Sequence, residues 1–154
     1  MMMTTILTAS AVLAAEYGIR TRVNKAPKAQ FPKALGKQYE LRQAHNFGIV
    51  GSRFEGKPKL VLAYQTGATT VAVIGAVLVS QTVGVSRPLV RLGAGLAAGG
   101  ALSNMIERWT SGYVTDYIHG TKKSPIPLLQ KRIWNVADMA IFNGCVIALI
   151  GAAI

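Results

Sequence analysis

The amino-acid sequence predicts an all-α membrane protein with four transmembrane helices, and three observations carry that expectation. Only 15% of the 154 residues are charged while 51% are hydrophobic, against about 25% charged in an ordinary soluble chain. The apolar residues gather in four stretches, each near the roughly 20 residues needed to cross a hydrocarbon core of about 30 Å. Polar and basic residues fall almost wholly in two segments between those stretches. A chain of this length makes one domain, so residues 1–154 are expected to form a single integral membrane unit.

The elements follow in order. Residues 1–19 carry no charge before Glu16 and form the first span. A cleaved secretory signal is the competing reading, with Ala9-Ser10-Ala11 as a small-residue site, but no Lys or Arg precedes Arg20 to supply the basic start of a signal peptide. A retained helix is therefore expected. Residues 20–59 read as a long, basic loop punctuated by Pro27, Pro32 and Pro58. Residues 60–85 contain no charged residue and form the second span; 84–90 turn tightly through Gly84, Ser86 and Pro88. Residues 88–106 form the third span, with Arg91 alone near its start. Residues 107–133 make a second polar segment, broken by Gly112, Gly120, Pro125 and Pro127, and 134–154 form the fourth span with only Asp138 charged.

Small residues recur at four-residue intervals: Ala68, Ala72 and Ala76; Gly95 and Gly99 beside Ala97 and Ala101; Gly144, Ala148 and Ala152. Such stripes let helix backbones approach closely in lipid, so a compact bundle is expected. Alternating spans put both long loops on one side of the membrane. Those loops hold fifteen of the seventeen Lys and Arg residues, and the positive-inside rule read literally would place them in the cytoplasm.

The net charge of +11 points to anionic lipid headgroups as membrane partners. No groove-reading motif accompanies it, so nucleic acid is not expected as a partner. The lone Cys145 lies in an apolar run and is expected to pack as a small hydrophobe. The two histidines are far apart, and neither metal site nor cofactor is expected.

The chain has only two aspartates, Asp116 and Asp138. Asp138 lies in the first turns of the fourth span, where a carboxylate is costly without partners or a functional reason. Asp116 follows the third span within Gly112-Tyr113-Val114-Thr115-Asp116-Tyr117-Ile118. Both face the long-loop side, so they can meet near one membrane surface. Two close carboxylates share one proton, and such a pair supports aspartic-protease chemistry. The bland reading makes Asn135 a helix cap, Asp138 a carboxylate favoured by the helix dipole, and Asp116 a solvated loop residue. Asn104 and Arg108 are four apart and share a helix face if the third helix continues. Arg108 then either grips substrate or a carboxylate, or snorkels to the interface. Glu107 and Trp109 suit an interfacial position, and Glu16 and Arg20, also four apart, suit a mutual pair.

Together these residues resemble signal peptidase II, the lipoprotein signal peptidase family. In Gly100-Ala101-Leu102-Ser103-Asn104-Met105-Ile106-Glu107-Arg108, continuing to Ile118, Asn104 precedes Arg108 by four and Asp116 follows it by eight, as in that family's third-helix signature. Trp134-Asn135-Val136-Ala137-Asp138 resembles the second signature, Asn-x-Ala-Asp. His45-Asn46-Phe47-Gly48, followed by Phe54, resembles its Asn-x-Gly stretch beside the substrate, and Glu16 and Arg20 resemble an Asp and Lys after the first helix. Glu107 departs from the family's usual Asp, and Ser52-Arg53 from its small and apolar residues.

The resemblance implies Asp116 and Asp138 as the catalytic pair, with Asn46, Gly48, Asn104, Arg108 and Asn135 around substrate. It implies cleavage of diacylglyceryl-modified prolipoproteins by a monomer in the bacterial cytoplasmic (inner) membrane. It also implies a small extracytoplasmic β-containing cradle in the first long loop, and both termini in the cytoplasm, against the charge count. Two alternatives remain open: a proteolytically inactive relative that holds lipidated or hydrophobic peptides, and a small proton-coupled transporter.

Overall fold

The structure, a computed structural model, describes residues 2–49, 53–82 and 87–154. The start of the first expected span at Met1, the tight turn at Gly84 and Ser86, and Ser52 lie outside the described residues. The protein is mostly helical. Among the described residues three helices are long and apolar enough to cross a membrane: α2 (Pro58–Thr82), α3 (Pro88–Ser111) and α5 (Val136–Ala153). With them packs an N-terminal helix, α1 (Met3–Lys25). Around them lie strands β1 (Lys33–Leu35), β2 (Tyr39–Asn46) and β3 (Val114–Gly120), and a short helix α4 (Pro127–Lys131).

Helix α1 runs six residues beyond its expected end. Its last turns carry Glu16, Arg20 and Val23 on a face buried inside the bundle, so polar residues continue the helix instead of beginning a loop. The apolar sequence alone gives no sign of this, because the helix is held there by ion pairs.

The expected small sheet is present, with β1 and β2 in the first long loop, but it is larger than that loop alone. The sheet is antiparallel in the order β1-β2-β3, and the third strand comes from the second polar segment, not the first. Val114, Thr115 and Ile118 supply the β-branched residues that suit a pleated surface. Asp116 therefore sits on a buried strand opposite Ala44, not in a solvated loop. The second polar segment also holds the end of α3, which reaches Ser111 and stops at Gly112 with φ +80, a conformation glycine adopts without strain.

Helix α3 is the central helix, packed against α1, α2 and α5. Its glycines set the spacing. A Cβ on Gly144 would fall 2.6 Å from the Ala97 nitrogen and the Gly93 oxygen, both backbone atoms. Gly95 and Gly99 meet α1 in the same way, at Thr5 and Ala9, and Ala76 of α2 clusters with Ala94 and Ala98. In α5 the stripe continues through Gly151 against Leu89 and Val90, while Ala152 is exposed. The helical period explains the change: the seventh residue after Gly144 returns to the contact face more closely than the eighth. Gly144→Ala is expected to lower stability by about 1–3 kcal/mol through overpacking, since backbone on the opposing helix must move; thermal unfolding in detergent checks it.

Candidate active site

Trp134 joins the two segments that bear the aspartates. Its backbone forms an isolated bridge with Ile118, donating to the Ile118 carbonyl at 2.8 Å and accepting from Ile118 N at 2.7 Å. The start of α5 is thereby fastened to β3. One residue later Asn135 caps α5, its Oδ1 accepting from the Asp138 N–H at 2.8 Å. The same side chain donates through Nδ2 to Asp116 Oδ1 at 2.7 Å. The cap and the site are thus one residue: Asn135 is fully buried and holds both aspartate-bearing segments in register.

Each aspartate has further donors. Asn46, at the end of β2, donates to Asp116 Oδ2 at 3.3 Å, and Asn104 donates to Asp138 Oδ1 at 2.8 Å. Asp116 is 7% exposed, and its carboxyl is pushed up to about 7 by burial first and by the charge of Asp138 second, against the lowering effect of the Asn135 and Asn46 hydrogen bonds.

Arg108 does not snorkel. It is buried, and its guanidinium donates to the Asn46 carbonyl at 3.2 Å and the Gly48 carbonyl at 2.7 Å. Gly48 N–H in turn donates to Asn46 Oδ1 at 3.0 Å. Arg108 therefore fixes the loop after β2, and through it the amide that reaches Asp116. Asn104 and Arg108 do share a face of α3, as their spacing requires.

Behind the aspartates lies an ionic network that the sequence only hinted at. Glu16 and Arg20 do pair, at 2.7 Å, and Arg20 also meets Glu107 at 2.9 Å. Its Nη2 donates to Asn104 Oδ1 at 2.6 Å, which turns the Asn104 amide nitrogen toward Asp138. Glu16, with no exposed surface, accepts from the Tyr117 hydroxyl at 3.1 Å and from Ala137 N–H. Glu107 is engaged within the protein: it accepts from Thr115 N–H at 2.9 Å and from the Thr115 hydroxyl at 2.6 Å, while Trp109 is exposed. Tyr117, Thr115 and Ser103 were missed as site neighbours. Flanking Asp116 was the only signal for the first two, and no spacing rule gives a strand's inward partners before the strand is recognised.

Both aspartates line a cavity of about 510 Å³ with Asn46, Gly48, Asn104 and Arg108. One wall is Tyr64, Gln65 and Ala68 of α2; the other is Ile141, Phe142 and Cys145 of α5. Cys145 thus does not pack inside the bundle but sits exposed on that wall. Among the described residues no group of three or more His, Cys, Asp or Glu is placed to hold a metal ion.

The family model described as signal peptidase (SPase) II matches residues 8–154. The chain belongs to the signal peptidase II family. Membership makes the enzyme an aspartic peptidase of the membrane. It is 34% identical over 135 residues to the lipoprotein signal peptidase of Moorella thermoacetica, an alignment covering 86% of this chain and 78% of that one. It is 32% identical over 134 residues to that of Caulobacter vibrioides, covering 83% and 71%. Two solved structures described as bacterial membrane enzymes share the fold, with TM-scores of 0.78 and 0.75 at 19% identity. Each alignment covers 97% of this chain, and 87% and 92% of those chains respectively.

Proposed function

We propose that Asp116 and Asp138 are the catalytic dyad with which this signal peptidase II removes signal peptides from diacylglyceryl-modified prolipoproteins. The observation that carries the assignment is their convergence: Asn135 hydrogen-bonds to both aspartates, and both line one cavity. The pair holds one proton between them. The ionised carboxylate takes a proton from water as that water attacks the scissile carbonyl; the protonated one donates to the carbonyl oxygen and afterwards helps protonate the leaving amine. Asn135, Asn46 and Asn104 act as positioning groups that orient the carboxylates. Arg108 acts through the Asn46–Gly48 loop, where the peptide lies across the aspartates. The acyl chains lie between the α2 and α5 walls of the cavity.

The chain works as a monomer, since it supplies every one of these groups itself. It forms one integral domain of the bacterial inner membrane, crossing four times through α1, α2, α3 and α5. The sheet and the dyad lie on the outer face and both termini in the cytoplasm. The basic loops argue against that orientation, and a reporter fused after Ile154 tests it: activity characteristic of the outside overturns it.

The test of function is cleavage of a precursor peptide with and without diacylglycerol on its cysteine. Cleavage of the lipidated peptide alone is expected; equal cleavage of both removes the lipid from the reading, and binding without cleavage favours an inactive relative.

The shared proton also sets a pH dependence. Cleavage is expected to decline as pH rises past about 7, where Asp116 loses its proton. The Asn135 hydrogen bond favours ionised Asp116, so Asn135→Ala moves this limb to higher pH while lowering the maximum rate; a pH–rate profile checks both. Stability follows the same sign. Asp116 is raised in the folded state, so it binds a proton that the unfolded chain has released, and stability falls as pH rises from its ordinary range near 4 toward 7.

A further inference from the structure

We infer that the enzyme carries a second lipid site, a groove between α1 and α3 that holds an anionic phospholipid by its phosphodiester headgroup. The two helices touch where Gly95 meets Thr5 and Gly99 meets Ala9. Nearer their C-terminal ends the two helices line a groove of about 520 Å³. Its walls include Leu13, Tyr17 and Ile106, of which Tyr17 is 77% and Ile106 48% exposed. The groove shares only α3 with the dyad cavity: Ser103 lines the one and Asn104 the other.

In a bilayer this apolar surface is covered by acyl chain, and the rim decides which headgroup comes with it. Arg20 and Glu107 also line the groove, but they are paired with each other at 2.9 Å and Arg20 is shared with Glu16, so Arg20 offers no free cation there. Lys25, in the last turn of α1, is exposed and makes no hydrogen bond or ion pair among the described residues. Thr21 and Ser111, which carry hydroxyls, line the groove with it. One unneutralised ammonium with hydroxyl donors, above an apolar wall, complements a phosphate that carries net negative charge and two acyl chains. A neutral diacylglycerol has no anion for Lys25, and a zwitterionic lipid adds an ammonium beside it.

The site is tested on the delipidated full-length protein in a neutral detergent. Native mass spectrometry and thermal midpoints are recorded with phosphatidylglycerol, phosphatidylethanolamine, diacylglycerol and glycerol phosphate. Phosphatidylglycerol is expected to be retained preferentially and to raise the midpoint most. Lys25→Gln is expected to weaken its binding about fivefold, whereas Lys59→Gln, the same charge loss at the start of α2, leaves it unchanged. Ile106→Trp, which fills the wall, is expected to remove binding of every lipid arm at this site. Equal retention of phosphatidylglycerol, phosphatidylethanolamine and diacylglycerol overturns the headgroup assignment. Equal losses in the two lysine variants reduce it to general surface charge, and a midpoint shift as large with glycerol phosphate overturns the lipid. None of these readouts depends on proteolysis, so failure here and failure of the dyad are separable.

Discussion

Asp116→Asn and Asp138→Asn are each expected to lower the rate of lipoprotein-precursor cleavage on the order of 10³-fold or more, with folding preserved. Either change leaves the pair unable to act both as the base that activates water and as the acid that polarises the carbonyl, and each role is worth about 10²–10⁴-fold. The amide keeps the shape of the carboxyl, so the hydrogen bonds at Asp116 Oδ1 and Asp138 Oδ1 can largely be rebuilt by reorienting neighbours. Because the two groups work as a unit, the double variant is expected to be little worse than the singles. Single-turnover cleavage of a lipidated peptide measures all three. Retention of more than about a tenth of the rate in either variant is incompatible with dyad chemistry of this size; it would return Asp138 to a carboxylate favoured by the helix dipole and Asp116 to a structural residue.

Arg20→Met is expected to have the largest effect on stability, a loss of about 3–5 kcal/mol. The substitution keeps much of the volume but strands Glu16, which has no exposed surface, and Glu107, whose side chain is 12% exposed. Removing one member of a buried ion pair leaves an uncompensated charge, which is far worse than never having the pair. Arg20→Lys is expected to fall between, since one ammonium cannot span Glu16, Glu107 and Asn104 as the guanidinium fork does. Unfolding in detergent, read by helical signal, orders the three proteins. A wild-type-like Arg20→Met protein would mean that water reaches Glu16, against its burial. Activity in Arg20→Lys is expected to fall through the Asn104 amide, which Arg20 orients toward Asp138.

The same network shows where reading the sequence succeeded and where it stopped. The pairing of Glu16 with Arg20 follows from a four-residue interval, and so does the common face of Asn104 and Arg108. The engagement of Arg20 by Glu107 joins residues 87 positions apart, and that of Glu107 by Thr115 reaches a strand lying in a segment whose polarity suits a loop. Those contacts depend on α1 lying against α3, which Gly95 and Gly99 allow but do not orient. Arg108 shows the limit most clearly. Its position at a span end suits an arginine that snorkels, and only the return of β2 beside β3 places the Asn46 and Gly48 carbonyls within its reach.

The sequence by itself determined that the chain is a membrane protein and singled out its two aspartates, because hydrocarbon thickness fixes span length and leaves no cheap place for a stray carboxylate. The motif intervals also carried the family, which the family model and the relatives then established. Only the tertiary structure decided that Asp116 lies on a strand and that Asn135 serves helix cap and carboxylate together. The physical reason is range. Helical spacing and hydropathy act over one or two turns, whereas the Ile118–Trp134 bridge and the Arg20 ion pairs join segments from separate elements. The two aspartates were legible as residues; their meeting was a property of the fold.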